Sequence, residues 1–244
     1  MDGVTLGVFL ATAFLGGVLS GLAGFAMGLM LSAIWLHFLP PVQTIALIIG
    51  YGFWSQLYAM WKLRRSLRWK SVAPFIVGGV FGVPAGALLL AHIAPAHLRI
   101  GIGGLVVAYS LYGFVQPRFE PVEAGVRAEV GVGFLNGLLA GLAGLSGIII
   151  TIWCQWRGWP KDVQRTVFQP VNLAAIVLTG ASLAIAGTVT LETGKLYLLG
   201  LPFIIAGLWT GFRLYEKVGD AGFRKLVLAL LLLAGLSLVF PALA

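Results

Sequence analysis

The stretch GFLNGLLAGLAGLSGIII, Gly133 to Ile150, decides the fold of this chain. An earlier stretch, LGGVLSGLAGFAMGLML from Leu15 to Leu31, shares its Gly-Leu-Ala-Gly core. The two cores lie about 120 positions apart in a chain of 244 residues, which is the spacing expected of an internal duplication. The sequence therefore predicts a first repeat over residues 1–116 and a second over residues 127–244, joined by a cytoplasmic linker at 117–126.

The composition is that of an integral membrane protein. Hydrophobic residues make up 59% of the chain and charged residues only 10%, whereas a soluble domain has about 25% charged residues. The net charge of +8 does not indicate nucleic acid, because the basic residues lie at the ends of apolar runs, where membrane topology and lipid headgroups explain them. The partner that the composition predicts is the lipid bilayer.

Six apolar segments are long enough for one membrane helix each, at about 20 residues per crossing: 42–61, 71–92, 98–115, 163–186, 195–216 and 223–243. Two longer blocks remain, 4–39 and 127–156. As one helix the first would exceed about 50 Å, against a hydrocarbon core of about 30 Å. Each block is therefore predicted to be a helical hairpin, broken at its glycine tract into arms of about 15 residues.

The distribution of basic residues predicts the orientation of the repeats. The dense basic cluster at 62–70 indicates a cytoplasmic loop, and the duplication matches this loop with the one near Glu192. The motifs Pro74-Phe75-Ile76 and Pro202-Phe203-Ile204 support the same alignment. Because matching loops then face opposite sides, the repeats must be inverted, and all Lys and Arg except Arg99 and Lys195 lie at the inner side. We predict an all-α polytopic membrane protein of two inverted repeats, each a glycine-broken helical hairpin plus three transmembrane helices, with both termini outside.

The two breaks are candidate anion sites. They are predicted at Gly24-Phe25-Ala26-Met27-Gly28 and at Gly144-Leu145-Ser146-Gly147. Each exposes N–H groups at the start of a half-helix, which need a partner inside a membrane and which attract anions through the helix dipole. Inverted repeats bring such ends together near the midplane in many secondary transporters. The alternative is that the glycines only let helices pack closely.

Polar side chains near the breaks extend this candidate site. Arg165, Gln169 and Asn172 share one face of a helix, in which Pro170 either introduces a kink or frees a backbone carbonyl. The sequence leaves open whether Gln169 and Asn172 bond to other helices or to a ligand. The first half offers Tyr51 at a comparable place. The candidate substrate-binding residues are Gly24, Phe25, Ala26, Met27, Gly28, Tyr51, Asn136, Gly144, Leu145, Ser146, Gly147, Gln169 and Asn172.

Enzyme chemistry is not predicted. The carboxylates lie outside the middle of the segments and the three histidines map to outer ends, so the sequence offers no set of catalytic residues, no metal site and no cofactor site. The ladder of Gly78, Gly82 and Gly86 and the pair Gly207 and Gly211 have the spacing of close helix packing. This packing could lie within one protomer or between protomers, which leaves a homodimer open.

The glycine tract from Gly17 to Gly28, its duplicate ending at Gly147, and the segment Arg165-Thr166-Val167-Phe168-Gln169-Pro170-Val171-Asn172 resemble the sulfite exporter TauE/SafE family. The resemblance implies a carrier or facilitator for sulfite or organosulfonates in the bacterial cytoplasmic membrane, with the two glycine tips and the region of Asn172 facing the substrate. The chain departs from the glycine-richer tip of that family at Ala26, Met27 and Leu145.

The sequence thus favours a secondary transporter or facilitator whose substrate is a small anion, sulfite or an organosulfonate. Two other readings stay open. A passive anion channel predicts currents far above carrier turnover. A membrane-embedded scaffold subunit predicts that the glycine tips pack shut and that Gln169 and Asn172 bond only to protein.

Overall fold

The computed structural model describes residues 2–23, 26–63, 69–115, 121–159, 161–187 and 190–215, and residues 228–229, 232–233, 235–236 and 239 near the C-terminus. Within these residues the chain forms nine α-helices and no β-strand. The helices are α1 (Gly3–Ala23), α2 (Ala26–Trp35), α3 (Pro41–Leu63), α4 (Trp69–His92), α5 (Pro95–Val115), α6 (Val126–Ala143), α7 (Ile148–Trp156), α8 (Lys161–Ile185) and α9 (Leu191–Tyr215).

Six stretches of these helices are long and apolar enough to cross a membrane. They are Gly3–Gly21, Trp69–His92, Pro95–Val115, Val126–Ala143, Thr166–Ile185 and Leu191–Gly211. The predicted segment 42–61 is helical, as α3, although it is not among the six. The predicted segment 223–243 lies mostly outside the described residues. The prediction of an all-α polytopic membrane protein is confirmed.

The prediction of equal hairpin arms is wrong. In the first block α1 has 21 residues and α2 has 10. In the second block α6 has 18 residues and α7 has 9. The long arms, α1 and α6, extend for about 32 Å and about 27 Å at 1.5 Å per residue, enough to span a bilayer alone. In the second block Gly144 and Gly147 set the break, which lies beyond the middle of the apolar block.

The chain divides into two compact units, each built from both halves of the sequence. The first unit contains residues 1–51, 93–117 and 189–244, and the second contains residues 52–92 and 118–188. The first unit therefore holds α1, α2, α5 and α9, and the second holds α4, α6, α7 and α8. These units are groups of helices in contact, whereas the repeats are the two halves of the sequence. The units therefore do not test the repeat boundaries, which stay a prediction.

In the second unit α4 and α6 cross so closely that their backbones touch. A Cβ placed on Gly137 of α6 would lie 2.9 Å from both the Cα and the carbonyl oxygen of Gly79 on α4. A Cβ on Gly82 would overlap the carbonyl oxygen of Phe134. Other glycines of the two helices meet backbone in the same way: Gly78, Gly86, Gly133 and Gly141. The predicted glycine ladder of α4 therefore packs within the chain.

In the first unit α1 and α9 form a crossing of the same kind. A Cβ on Gly17 of α1 would lie 3.1 Å from the Cα of Gly207 on α9, and a Cβ on Gly211 would lie 3.1 Å from the Cα of Gly21. Small residues at such crossings let helices gain dispersion contacts in a membrane, where apolar side chains gain little by leaving lipid. The pair Gly207 and Gly211 is thus also used inside the chain.

The two crossings use matching positions of the two sequence halves. Gly17 and Gly137 hold the same place relative to the Gly-Leu-Ala-Gly cores, and Gly79 and Gly207 hold the same place relative to the Pro-Phe-Ile motifs. Gly17 meets Gly207 as Gly137 meets Gly79. Duplicated helices would show this correspondence, which supports the duplication. The inversion of the repeats stays a prediction.

We expect Gly137→Ala to destabilise the protein by about 1–3 kcal/mol, the usual penalty of overpacking, because the new methyl meets the backbone of α4. Gly131→Ala in the same helix is the matched control, since a Cβ there meets nothing within 4 Å. The measurement is the unfolding midpoint of both variants in detergent. Equal midpoints for Gly137→Ala and Gly131→Ala would contradict the close crossing.

Candidate functional site

The hairpin of the second unit is interrupted at Gly144-Leu145-Ser146-Gly147, where the sequence predicts its break. Gly144 ends α6 in a left-handed conformation with a φ of 69°, and its N–H donates to the carbonyl of Ala140 at 2.8 Å. Gly147 precedes α7 with a φ of 105°. Residues with side chains rarely adopt such angles. The two glycines therefore determine where α6 ends and where α7 begins.

The first turn of α7 lies beside the middle of α6, well short of its end. The N–H of Gly147 donates to the side-chain oxygen of Asn136 at 2.9 Å. Asn136 lies seven residues before Ala143, the last residue of α6, which corresponds to about 10 Å along the helix axis. The segment 144–147 thus turns back along α6 before α7 starts. The half-helix α7 therefore begins beside the middle of α6 rather than beyond its end.

The first backbone N–H groups of α7 have no partner among the described residues. No side chain caps the helix at Gly147, and no carbonyl in the described part of the chain accepts from the N–H groups of Ile148, Ile149 or Ile150. The first N–H groups of any helix lack partners within that helix and carry the positive end of its dipole. This helix start has the properties of an anion site.

Asn172 of α8 lies directly against this helix start. Its side chain is fully buried, and a Cβ on Gly147 would lie 2.7 Å from its Nδ2 and 3.3 Å from its Oδ1. Both of these carboxamide atoms lack a hydrogen-bond partner among the residues that the structure describes, as does Nδ2 of Asn136. Buried polar atoms are rarely left unpaired. The three residues Asn136, Gly147 and Asn172 therefore form a buried polar cluster with spare hydrogen-bonding capacity.

The other predicted residues of this half surround the cluster in sequence. Gln169 is buried one turn before Asn172 on α8, and its Oε1 lacks a partner in the described ranges. Leu145 is buried and Ser146 is half-buried. Thr151, one turn into α7, is buried with a hydroxyl that is unpaired within the described residues. The sequence analysis missed Thr151, although its place four residues after Gly147 puts it on the first turn of the half-helix.

A small cavity lies next to Asn136, between α4, α6 and α8. Its volume is about 10 Å³, enough for roughly one water molecule. Its lining is mostly apolar and includes Gly79, Gly133, Gly137 and Val171. This cavity is smaller than a sulfur oxyanion, and its lining includes Asn136 but neither Gly147 nor Asn172.

The far end of α7 is fixed by polar contacts. The N–H of Val122 donates to the carbonyl of Trp156 at 2.8 Å. The guanidinium of Arg157 donates to the carbonyls of Val122 at 3.0 Å and Ala124 at 3.3 Å, and it lies 3.9 Å from the carboxylate of Glu129. With Asn136 holding Gly147 at the start of α7, both ends of the half-helix are tied to α6 and the segment before it.

The residues predicted at the first tip belong to the first unit. Gly24 and Phe25 lie outside the described residues. Ala26, Met27 and Gly28 form the start of α2, and the side chain of Met27 is buried. These three described residues therefore form no polar cluster like that of Asn136, Gly147 and Asn172.

Tyr51 also belongs to the first unit, whereas Gly147 belongs to the second. It is fully buried, and its ring stacks on that of Tyr197 with centroids 4.9 Å apart. Its hydroxyl donates to the carbonyl of Leu196 at 2.9 Å, with the carbonyl of Tyr197 at 3.1 Å. Through these contacts Tyr51 packs α3 against α9.

Substitution of Gly147 tests its contact with Asn172 and its positive φ. We expect Gly147→Ala to destabilise the protein by about 1–3 kcal/mol through backbone strain and by a comparable amount through its contact with Asn172. Gly187→Ala is the control for a positive φ without a contact, because Gly187 has a φ of 64° and a Cβ there would meet nothing within 4 Å.

Unfolding in detergent measures both effects. In an Asn172→Ala background the penalty of Gly147→Ala should fall, because the contact with Asn172 is lost and only the strain of a φ of 105° remains. The penalty of Gly187→Ala should not change in that background. A penalty at Gly147 that is unchanged by Asn172→Ala would show that the two residues do not touch.

Comparison with known proteins gives one finding. Residues 9–238 match the family described as Sulfite exporter TauE/SafE. No protein of curated function and no solved structure matches the chain. Among the described residues there is no group of three or more His, Cys, Asp or Glu that could hold a metal ion.

Proposed function

We propose that this chain, which belongs to the sulfite exporter TauE/SafE family, is a secondary transporter or facilitator for a small sulfur oxyanion. The substrate is sulfite or an organosulfonate. The protein is a multi-pass membrane protein. Its family suggests the bacterial cytoplasmic membrane, and the distribution of basic residues predicts that both termini lie outside.

The observation that carries this proposal is the buried carboxamide of Asn172 beside the open start of α7. An anion there would accept hydrogen bonds from the N–H groups of the first turn and from the Nδ2 atoms of Asn136 and Asn172. Hydrogen bonds to a charged group are each worth about 1.5–3 kcal/mol, and the dipole of α7 adds to them. The ligand would thus satisfy donors that the described protein atoms leave unpaired.

The position of this helix start also suits transport. Asn136 is the eleventh residue of α6, or about 15 Å from the start of that helix. If α6 crosses the membrane, the start of α7 lies near its middle, where secondary transporters bind their substrates at the ends of broken helices. Ser146 and Gln169 are further candidate contacts, with Gly144 and Leu145 shaping the turn.

The scaffold reading is weakened by the same atoms. It predicts that Gln169 and Asn172 bond only to protein, whereas both carry side-chain atoms with no partner in the described part of the chain. A passive channel would instead carry currents far above carrier turnover, which recording of the anion current would detect.

The test is uptake of radiolabelled sulfite into proteoliposomes. We expect Asn172→Leu to lower the rate at subsaturating sulfite by about 10- to 100-fold, since it removes hydrogen bonds to a charged ligand. Gln43→Leu, the same kind of change on α3 in the first unit, should keep the rate near that of the unaltered protein.

The folded fraction of each variant is measured by size-exclusion chromatography and by its unfolding midpoint. A folded Asn172→Leu variant with unaltered uptake would contradict the proposed site. Uptake by the unaltered protein that equals that of empty liposomes, for sulfite and for organosulfonates, would contradict the proposed transport.

A further inference from the structure

The unpaired atoms at the start of α7 include acceptors as well as donors. Asn172 has both Oδ1 and Nδ2 without partners in the described residues, and Gln169 has an unpaired Oε1 one turn earlier. Both side chains are more than nine-tenths buried. A fully deprotonated oxyanion offers only acceptor atoms, so it could bond to Nδ2 of Asn172 but not to Oδ1.

Asn172 offers one donor and one acceptor in either orientation of its amide. Rotating the carboxamide of Asn172 by 180° exchanges its oxygen and its nitrogen. Because both atoms lack partners, either orientation leaves one donor and one acceptor free beside Gly147. Asn136 differs, since its oxygen already accepts the N–H of Gly147 and only its donor is left.

We propose that the site selects sulfur oxyanions that carry a hydrogen-bond donor of their own. This inference rests on the proposed transport function and specifies its substrate class. The oxygens of the ligand accept from α7, Asn136 and Asn172, while an O–H or N–H of the ligand donates to Oδ1 of Asn172. Two kinds of ligand share this chemistry: hydrogensulfite, the protonated form of sulfite, and sulfonates with an ammonium or hydroxyl group.

Anions without a donor are disfavoured by this arrangement. Their oxygens would face the carboxamide oxygen of Asn172, which would stay buried without a partner. Leaving a buried acceptor unpaired lowers affinity by about 10- to 100-fold. The discrimination therefore depends on the ligand's hydrogen-bond donor rather than on its size.

Competition against labelled sulfite uptake in proteoliposomes tests this selectivity. Isethionate and taurine carry a hydroxyl and an ammonium group, whereas 1-propanesulfonate has nearly the same size with a methyl group instead. We expect 1-propanesulfonate to need about 10- to 100-fold higher concentrations for half-inhibition. In Asn172→Leu the three competitors should differ far less, while Gln43→Leu should keep the full difference.

Two further measurements separate the ligand sources. Sulfite uptake at fixed total sulfite is measured between pH 6 and pH 8, with labelled isethionate, which does not titrate there, as the control for effects of pH on the protein. Uptake that rises with the hydrogensulfite fraction assigns the protonated inorganic ion, and uptake of labelled taurine assigns the zwitterion. Either result supports the proposal.

The inference and the proposed function fail in different ways. If sulfite is transported and 1-propanesulfonate competes as well as isethionate and taurine, the site does not require a donor and this inference is overturned. If neither sulfite nor any sulfonate is transported, the proposed function itself is wrong.

Discussion

The hydrogen bond from the N–H of Gly147 to the side chain of Asn136 is the contact on which the candidate site depends. Inside a membrane a chain that leaves its helix must find partners for its backbone groups, because lipid offers none. This bond satisfies one donor of the break and holds the start of α7 against the middle of α6. The following N–H groups are then presented together, next to Asn172, where a ligand can complete their bonding.

Packing around this break lets it persist. Each buried unpaired polar group costs about 1–3 kcal/mol, so the surrounding helices must fix the side chains of Asn136 and Asn172 in place. The backbone contact between α4 and α6 does this near Asn136, since Gly137, the next residue, meets Gly79 directly. A tightly packed frame thus holds polar groups whose hydrogen bonds are incomplete among the described residues, as the proposed ligand site requires.

Much of the fold follows from the sequence because hydropathy and glycine placement dictate it. The apolar segments predict the membrane helices, and the over-long blocks predict the two broken hairpins. The lengths of the arms of the second hairpin could not be predicted, because they depend on Gly144 and Gly147 adopting positive φ angles. A chain with 34 glycines does not mark these two.

The candidate site follows from the sequence only in part. Asn136, Gly147 and Asn172 are predicted from their positions near the second break, and the structure brings them together. The sequence predicts Tyr51 as a ligand contact, yet its hydroxyl donates to the backbone of α9. This contact joins segments that are distant in the chain, so no local pattern reveals it. Thr151 was missed because the depth of α7 depends on how far the chain turns back along α6.

Anomalous diffraction from crystals grown with selenite, the heavier analogue of sulfite, tests the central claim most directly. The account predicts a selenium peak beside Gly147, with selenite oxygens within about 3.2 Å of the Asn172 side chain and of the first N–H groups of α7. A peak at another place in the protein, with the start of α7 unoccupied at saturating selenite, would contradict it.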